Sequence, residues 1–251
     1  MAEKGLVSII TPTYNCGAFI KETIESAIAQ TYKNWEMIIV DDCSTDDTRS
    51  VVDSIGDPRV RYECLTENSG AAVARTRAMQ LAKGRYMAFL DSDDLWAPEK
   101  LQKQIDFMNK NRYAFSCTAY DQIDEQGRSL GKVIKTKKKT NYNGMLLSCP
   151  VGNSTVMYDV QKMGKFEVPN IRKRNDDALW LTMLKREAFI YGMDDVLMHY
   201  RLRENSITRA NGRLQLVKYH WYLYRRIEHL SVIRSAFHVA VWVFLKVFHI
   251  K

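Results

Sequence analysis

The sequence lacks the features that mark several common classes of protein. Its five cysteines are odd in number, and none forms a C-x-x-C pair or another close metal-ligand spacing. This argues against a disulfide scaffold and a cysteine zinc site, and it favours a reducing compartment. No apolar run reaches the length of a membrane span. The apolar stretch in MAEKGLVSIITPTYN is too short for a signal peptide, so we expect a cytoplasmic protein whose first strand starts here.

Several catalytic motifs are also missing. The chain contains no G-x-S-x-G elbow, no P-loop and no H-E-x-x-H pair. The glycine fingerprint of a dinucleotide-binding fold does not follow the first predicted strand. No internal repeat or low-complexity segment is present. The composition, 46% hydrophobic and 26% charged over 251 residues, is that of a globular protein with one or two domains.

The net charge of +8 is concentrated in the C-terminal part of the chain. Residues 201–251 hold ten Lys/Arg and two Asp/Glu, while residues 1–200 hold 27 of each sign. Such a basic segment indicates an anionic partner. Basic and aromatic residues from Tyr219 onward favour an amphipathic helix that lies on an anionic membrane surface. The alternatives are a helix that packs on its own domain or on a second subunit of a homo-oligomer.

Strand and helix patterns alternate through the first half of the sequence. Apolar runs predict strands at residues 7–10, 35–40, 59–64 and 86–90, and helical spacing separates them. This alternation predicts an α/β fold with a parallel sheet and helices on both faces. The carboxyl ends of such strands meet at one edge, where ligands bind. Four turns therefore deliver polar groups to one rim: residues 11–14, 41–42, 67–68 and 91–94.

The second half of the sequence is less regular. Apolar runs predict strands at residues 113–120 and 152–158, and a polar connection covers residues 135–143. Leu179, Met183 and Leu184 have helical spacing within residues 175–185. In the first half, Ser44 and Asp47 have the spacing of a capping box that would open a helix through about Ile55.

The strongest local signal is GRYMAFLDSDDLW, an apolar run that ends in three aspartates. Asp91 and Asp93 are two apart and would face the same side of an extended chain. Two adjacent carboxylates repel each other unless a cation lies between them, and oxygen ligands suit Mg²⁺ or Mn²⁺. The alternative is that Asp93 or Asp94 caps the next helix.

Three other groups leave their roles open. Asp41 and Asp42 could bind a nucleobase or ribose, or could bond their own turn. Arg75 could face an anion, although a solvated surface arginine is the simpler interpretation. Asp176 and Asp177, near the start of a predicted helix, could stabilise that helix or provide a general base. A lone His199 is more often structural than a metal ligand.

Taken together, VSIITPTYN, IIVDDCSTDDT and ENSGAAVARTRAMQLAKGRYMAFLDSDDLWAPEKL resemble family 2 glycosyltransferases of the GT-A fold. The match is almost continuous over residues 5–110. A weaker match through NDDALW and HYRLRENSIT resembles bacterial surface-polysaccharide transferases. The resemblance implies a catalytic domain at residues 1–200, with a nucleotide-sugar half at 1–110 and an acceptor half at 111–200. Residues 201–251 would form a helical tail.

The resemblance also implies roles for individual residues. Those of the nucleotide site would be Pro12, Tyr14, Asp42, Arg75, Asp91 and Ser92. Asp91 and Asp93 would hold Mn²⁺ or Mg²⁺ on the diphosphate. Asp176 would be the catalytic base, although Asn175 replaces the Glu of the family's Glu-Asp pair and Asp177 is a rival. The candidates for acceptor or phosphate contacts are Trp96, Asp177, Arg201 and Arg203.

The implied reaction is an inverting transfer from a UDP-sugar to a hydroxyl of a saccharide acceptor, which could be lipid-linked. A nucleotidyltransferase is an alternative, but TPTYNCGAF supplies no glycine-rich phosphate loop. A basic nucleic-acid-binding protein is another alternative. It would leave the acidic rim unexplained, because carboxylates repel phosphates. We therefore expect no nucleic-acid partner.

Overall fold

The computed structural model of the chain describes residues 3–149, 151–203 and 213–247. Within these ranges one central sheet of ten strands carries helices on both faces. The strands are β1 (Glu3–Thr13), β2 (Trp35–Asp41), β3 (Val60–Cys64), β4 (Gly84–Phe89), β5 (Leu95–Trp96), β6 (Phe115–Ile123), β7 (Ser129–Ile134), β8 (Lys139–Thr140), β9 (Met157–Asp159) and β10 (Ile190–Arg201). The helices are α1 (Gly17–Ile28), α2 (Thr48–Asp53), α3 (Ala71–Leu81), α4 (Lys100–Asn111), α5 (Tyr142–Leu147), α6 (Val160–Met163), α7 (Asn175–Leu184), α8 (Arg213–Tyr222) and α9 (Val232–Val247).

The sheet has the order β3-β2-β1-β4-β9-β6-β10-β5, with β7 beside β6 and β8 beside β10. The first four strands are parallel, as the alternating pattern predicted. Beyond β4 the sheet is mixed, because β9 runs antiparallel to both β4 and β6. The predicted architecture of a central sheet with helices on both faces is confirmed.

The strands β1 and β2 read as continuous apolar runs because both faces of the sheet are covered. Ile9 faces a core layer with α1 and α4, while the next residue, Ile10, faces a layer with α3 and α7. All four parallel strands end at the same edge of the sheet. The turns that follow them therefore meet there, as expected from the sequence.

Two local predictions differ from the structure. Ser44 and Asp47 form no capping box, because α2 begins at Thr48 without a side-chain cap and the Ser44 hydroxyl donates to Asp41 at 2.6 Å. In the strand predicted at residues 152–158, Asn153–Thr155 form a 3-10 turn, and β9 begins only at Met157. The sequence also did not reveal β10, whose register with β6 shifts twice around Asp194 and Asp195. These charges interrupt the apolar pattern that marks a strand.

The C-terminal helices fold back onto the core layer that contains α7. A π-helical segment (Leu223–Ile227) joins α8 to α9, and Leu223 and Tyr224 are buried in the same core layer as α7. The Tyr224 hydroxyl donates to the Leu146 carbonyl at 2.9 Å. Within the described ranges, no helix has both the length and the apolar character needed to cross a bilayer.

Candidate active site

The turn after β4 holds Asp91 at the centre of a polar network. Arg75 Nη2 donates to Asp91 Oδ1 at 3.0 Å, and Asn153 Nδ2 donates to the same oxygen at 2.7 Å. Burial raises the pKa of the Asp91 carboxyl, and the Arg75 guanidinium opposes this shift. Asp176 raises it further, so the predicted base lies within electrostatic reach of Asp91. The turn after β4 and the start of α7 therefore belong to one site.

Asp93, two residues later, lies against Arg203, which follows the end of β10. Arg203 Nε is 2.9 Å from Asp93 Oδ2. Burial raises the pKa of Asp93, while Arg203 opposes the shift and Asp91 adds to it. Among the described residues, all partners of the Asp91 carboxylate use Oδ1, and that of Asp93 uses Oδ2. Each carboxylate therefore keeps one oxygen for another ligand.

Asp94 shows that the acidic turn is not a helix cap. Its Oδ2 accepts a hydrogen bond from the Ser154 hydroxyl at 2.6 Å, and its Oδ1 accepts one from the Arg201 amide at 3.1 Å. The helix α4 begins only at Lys100, without a side-chain cap. Asp94 instead ties the turn to the 3-10 segment and to β10. The capping alternative is therefore wrong for this turn.

Arg75 is not a solvated surface arginine. It is buried on α3, where Nη1 donates to Asn175 Oδ1 and Nη2 donates to Asp91. Asn175 is the first residue of α7. One guanidinium thus holds the start of α7 beside the acidic turn. The residue that replaces the family's Glu still accepts a hydrogen bond, but it carries no charge.

The neighbours Asp176 and Asp177 have different environments. Asp177 is buried, and its Oδ2 lies 3.2 Å from Arg174 Nη1. Burial raises the pKa of Asp177 to about 6, Asp176 adds to the shift, and Arg174 opposes it. Asp176 is half-buried and makes no side-chain hydrogen bond or ion pair with another described residue. Of the two rivals for the base, Asp176 is the accessible one.

The raised pKa of Asp177 gives a pH-dependent prediction. Its ordinary value is 3.8, so the folded state binds the proton more tightly than the unfolded chain. The contribution of Asp177 to the unfolding free energy of wild-type protein should therefore fall by up to about 3 kcal/mol as the pH rises from about 4 to about 6. Asp177→Asn should not show this loss. As the pH rises, the unfolding free energy of wild-type protein should therefore fall relative to that of Asp177→Asn.

Urea unfolding of both proteins at pH 4 and pH 7 measures this shift. Thr182→Ala is a matched control on α7, because its hydroxyl bonds the Ala178 carbonyl at 2.9 Å and does not titrate in this range. The gap between Thr182→Ala and wild type should stay constant. An equally constant gap for Asp177→Asn would contradict the prediction.

The residues predicted to line the nucleobase pocket lie around the ends of β1 and β2. Pro12 is buried within β1, and Tyr14, just beyond it, is 48% exposed. Asp42 accepts from the amides of Ser69 at 2.7 Å and Gly70 at 2.8 Å, so it anchors the start of α3. The neighbouring Asp41 accepts a hydrogen bond from the Ser44 amide, within its own turn. Bonding within the turn is one of the two roles that the sequence left open for Asp41 and Asp42.

Several other predicted residues are buried and already bonded within the protein. Ser92 is buried, and its carbonyl accepts from Thr23. The Trp96 indole donates to the Ser154 carbonyl at 2.7 Å. The Arg201 guanidinium donates to Asp93 O, Glu125 O and Glu22 Oε2. These contacts hold the acidic turn in place.

Sequence reasoning missed Asn153 and Ser154, which contact the acidic turn directly. Their only signal is a polar run, GNST, where a strand was predicted. His199 behaves as the structural interpretation expected, with Nδ1 2.6 Å from Asp121 Oδ1. No group of three or more His, Cys, Asp or Glu side chains with metal-site geometry occurs among the described residues.

Comparison with known proteins identifies the family of the chain. The model of the family "Glycosyl transferase family 2" matches residues 8–169. The glycosyltransferase TuaG of Bacillus subtilis, named for teichuronic acid biosynthesis, is 43% identical over 245 residues, which cover 97% of this chain and 94% of TuaG. The Escherichia coli UDP-Glc:alpha-D-GlcNAc-diphosphoundecaprenol beta-1,3-glucosyltransferase WfaP is 40% identical over 215 residues, which cover 85% of this chain and 83% of WfaP.

Solved structures show the same fold at low sequence identity. S. aureus TarS, residues 1–349 with UDP-GlcNAc, superposes with a TM-score of 0.71 at 19% identity, covering 94% of this chain and 71% of that one. A Pyrobaculum calidifontis mannosyltransferase with GDP-Man and Mn²⁺ gives 0.65 at 17% identity, covering 90% and 64%. The resemblance inferred from the sequence is confirmed, and the nucleotidyltransferase alternative is not supported. The chain is a glycosyltransferase with the GT-A fold and belongs to glycosyl transferase family 2.

Proposed function

We propose that the protein transfers a sugar from a UDP-sugar to a hydroxyl of a lipid-linked saccharide, with inversion, during surface-polysaccharide synthesis. One observation carries the proposal. Arg75 contacts both Asp91, in the acidic turn, and Asn175, at the start of α7. A diphosphate leaving group at the turn and an acceptor hydroxyl at α7 would then lie on opposite sides of one sugar ring.

In this proposal Asp176 is the only base. Its carboxylate accepts the proton of the acceptor hydroxyl as that oxygen bonds to the anomeric carbon. The bond from this carbon to the diphosphate breaks at the same time, and its electron pair leaves with UDP. Attack from the side opposite the leaving group inverts the configuration. No enzyme carboxylate bonds to the sugar, in contrast to retaining glycosidases.

Asp91 and Asp93 would hold a divalent cation, Mn²⁺ or Mg²⁺. The donor set fits such an ion, because both side chains offer oxygen and each keeps one carboxylate oxygen without a partner among the described residues. Burial also raises the pKa of both carboxyls, although Arg75 and Arg203 oppose the shift, and a divalent cation would stabilise the charged forms further. When bound, the cation would neutralise charge on the departing diphosphate.

The nucleotide would bind across the ends of β1 and β2, at Pro12, Tyr14 and Asp42. UDP is supported by the name of the Escherichia coli relative and by the TarS complex with UDP-GlcNAc. The mannosyltransferase with GDP-Man shows that the fold alone does not specify the nucleobase of the donor. Of the four candidates for acceptor or phosphate contacts we keep only Arg203, because Trp96, Asp177 and Arg201 are buried.

The acceptor assignment rests on the relatives. WfaP is named for a diphosphoundecaprenol-linked acceptor, and TuaG for the synthesis of teichuronic acid. A lipid-linked saccharide at the cytoplasmic face of the membrane would supply the hydroxyl here. Five free cysteines among the described residues suit a reducing compartment of this kind.

Calorimetry with UDP and GDP in the presence of Mn²⁺ tests the nucleotide site. We expect UDP to bind at least about tenfold more tightly than GDP. Tyr14→Ala should weaken UDP binding by roughly fivefold to tenfold through loss of an aromatic contact, while Tyr14→Phe should leave it unchanged.

Tyr222→Ala is the matched control, because Tyr222 is 46% exposed, close to the 48% of Tyr14, but lies on α8. It should not change UDP affinity. Tighter binding of GDP would overturn the choice of UDP. If Tyr14→Ala binds UDP with unchanged affinity, the Tyr14 side chain does not belong to the proposed nucleobase pocket.

A further inference from the structure

The outward face of α9 is apolar. Ile233 is 83% exposed, and Val232 and Phe237 are each 57% exposed, with a spacing that puts them on one side of the helix. The polar residues Ser235 and His238 face inward and are buried. This is the reverse of an ordinary surface helix, which turns its apolar stripe to the core. An apolar face of this kind needs a partner that is not water.

The exposed charges of α8, α9 and the segment between them are mainly positive. Residues 213–247 contain six Lys/Arg and one acid, Glu228. Glu228 is buried and paired with Lys185 at 2.9 Å, so it contributes little negative charge to the surface. Lys218, Arg226 and Arg234 are exposed, as are the aromatic residues Trp221 and Tyr222 on α8. We call this whole region, residues 216–245, the α8–α9 surface.

The same helices pack beside the proposed base. Arg174 lies over the Trp242 ring at 5.9 Å and also pairs with Asp177, the neighbour of Asp176. Lys173 lies over the Tyr219 ring at 5.7 Å. The segment that leads into α7 is therefore covered by α8 and α9. Whatever binds the α8–α9 surface will lie next to the acceptor side of the site.

We propose that the α8–α9 surface docks on an anionic phospholipid bilayer, with α9 lying in the interface. Three features together favour a membrane over a second copy of the chain: an apolar face, flanking basic residues and exposed Trp and Tyr, which concentrate at membrane interfaces. A second copy would bring the same positive charges together across a twofold axis. At 16 residues, α9 is about 24 Å long, enough to lie on a bilayer but too short to cross one.

This docking deepens the proposed function, on which its consequence for catalysis rests. A saccharide attached to a lipid would be held at the bilayer surface, and the α8–α9 surface would hold α7 beside it. Membrane docking would then raise the local concentration of the acceptor near Asp176. The docking itself does not depend on which sugar or acceptor is used.

Co-sedimentation of the full chain with vesicles tests the docking. We expect binding to vesicles of phosphatidylglycerol and phosphatidylcholine, and at least about tenfold weaker binding to phosphatidylcholine alone. Ile233→Glu/Phe237→Glu should reduce binding to the anionic vesicles by more than about tenfold. Arg226→Gln and Arg234→Gln should each weaken it by about fivefold.

Leu130→Glu/Val133→Glu is the matched control, because these apolar residues on β7 are 47% and 53% exposed but lie outside the α8–α9 surface. It should bind vesicles as wild type does. UDP binding by all variants shows that they are folded. Wild-type protein that ignores anionic vesicles would overturn the proposal. So would a dimer in sedimentation velocity that only the α9 variant abolishes.

These results separate the docking from the enzymatic proposal. Vesicle binding together with absent sugar transfer would leave the docking intact and reject the proposed reaction. Sugar transfer to a water-soluble acceptor by a protein that does not bind vesicles would support the proposed reaction and reject the docking. If both proposals hold, Ile233→Glu/Phe237→Glu should lower transfer to a vesicle-bound acceptor while transfer to a soluble one stays within about twofold.

Discussion

Asp176→Asn is expected to lower the turnover number for sugar transfer by about 10²- to 10⁴-fold, the range that a general base contributes. Asparagine has the same shape but cannot accept the proton of the acceptor hydroxyl. UDP affinity should stay within about twofold of wild type, because the substitution removes a negative charge near Asp91 without touching its partners. Steady-state transfer and UDP calorimetry measure the two effects separately.

Asp177→Asn is the control for this experiment. Asp177 is buried against Arg174, so its substitution should affect stability and pH dependence more than turnover. We expect its turnover to stay within about tenfold of wild type. The reverse pattern, an active Asp176→Asn and an inactive Asp177→Asn, would make Asp177 the base. Nuclear magnetic resonance of the product then checks for the inverted configuration.

The second large effect is expected at the acidic turn. In wild-type protein, Mn²⁺ should tighten UDP binding by at least about tenfold, because the cation joins the aspartates to the diphosphate. In Asp91→Asn/Asp93→Asn, UDP should bind equally with and without Mn²⁺. Calorimetry at both conditions gives all four affinities.

The partners of these aspartates sharpen the test. Without the two carboxylates, Arg75 and Arg203 keep positive charge that no longer faces Asp91 and Asp93. Metal-free UDP should therefore bind the double variant a few-fold more tightly than wild type, by charge attraction. A misfolded variant would instead lose binding under both conditions.

Asp53→Asn is a control for the loss of an acidic residue, since Asp53 is exposed and, within the described ranges, forms an ion pair with Arg49 alone, at 3.6 Å. It should retain the full Mn²⁺ effect. Wild-type UDP affinity that does not respond to Mn²⁺ would reject the metal site. In that case Arg75 and Arg203 would have to carry the charge of the diphosphate.

The parallel half of the sheet could be predicted because its pattern is local. Each strand is an apolar run with a helix of recognisable spacing behind it, and right-handed crossovers bring the strand ends together. The second half could not be read in this way. The strand β10 pairs with β6, about 75 residues earlier, through a register with two shifts, and its central Asp194 and Asp195 hide the pattern.

The hydrogen-bond partners of the individual aspartates could not be predicted from the sequence either. Asp41 and Asp42 are neighbours with the same side chain, yet one bonds its own turn and the other anchors α3. Asp94 follows Asp93 directly but bonds Ser154 and the Arg201 amide. In the tail, the presence of a helix was predicted correctly, while the outward direction of the apolar face of α9 follows from the packing of Ser235 and His238.

Residue patterns were enough to predict the family, the order of the main strands and helices in the first half, and the rim at which the polar turns meet. These depend on residue patterns within about ten positions, which a linear reading captures. Residue patterns do not show which carboxylates are accessible and which are bound within the protein, because this depends on how the chain folds. Asn153 and Arg201 lie 62 and 107 positions from the aspartates that they contact, and Asn175 lies 100 positions from Arg75. Burial and charge pairing are properties of such distant contacts, so the chain must fold before they exist.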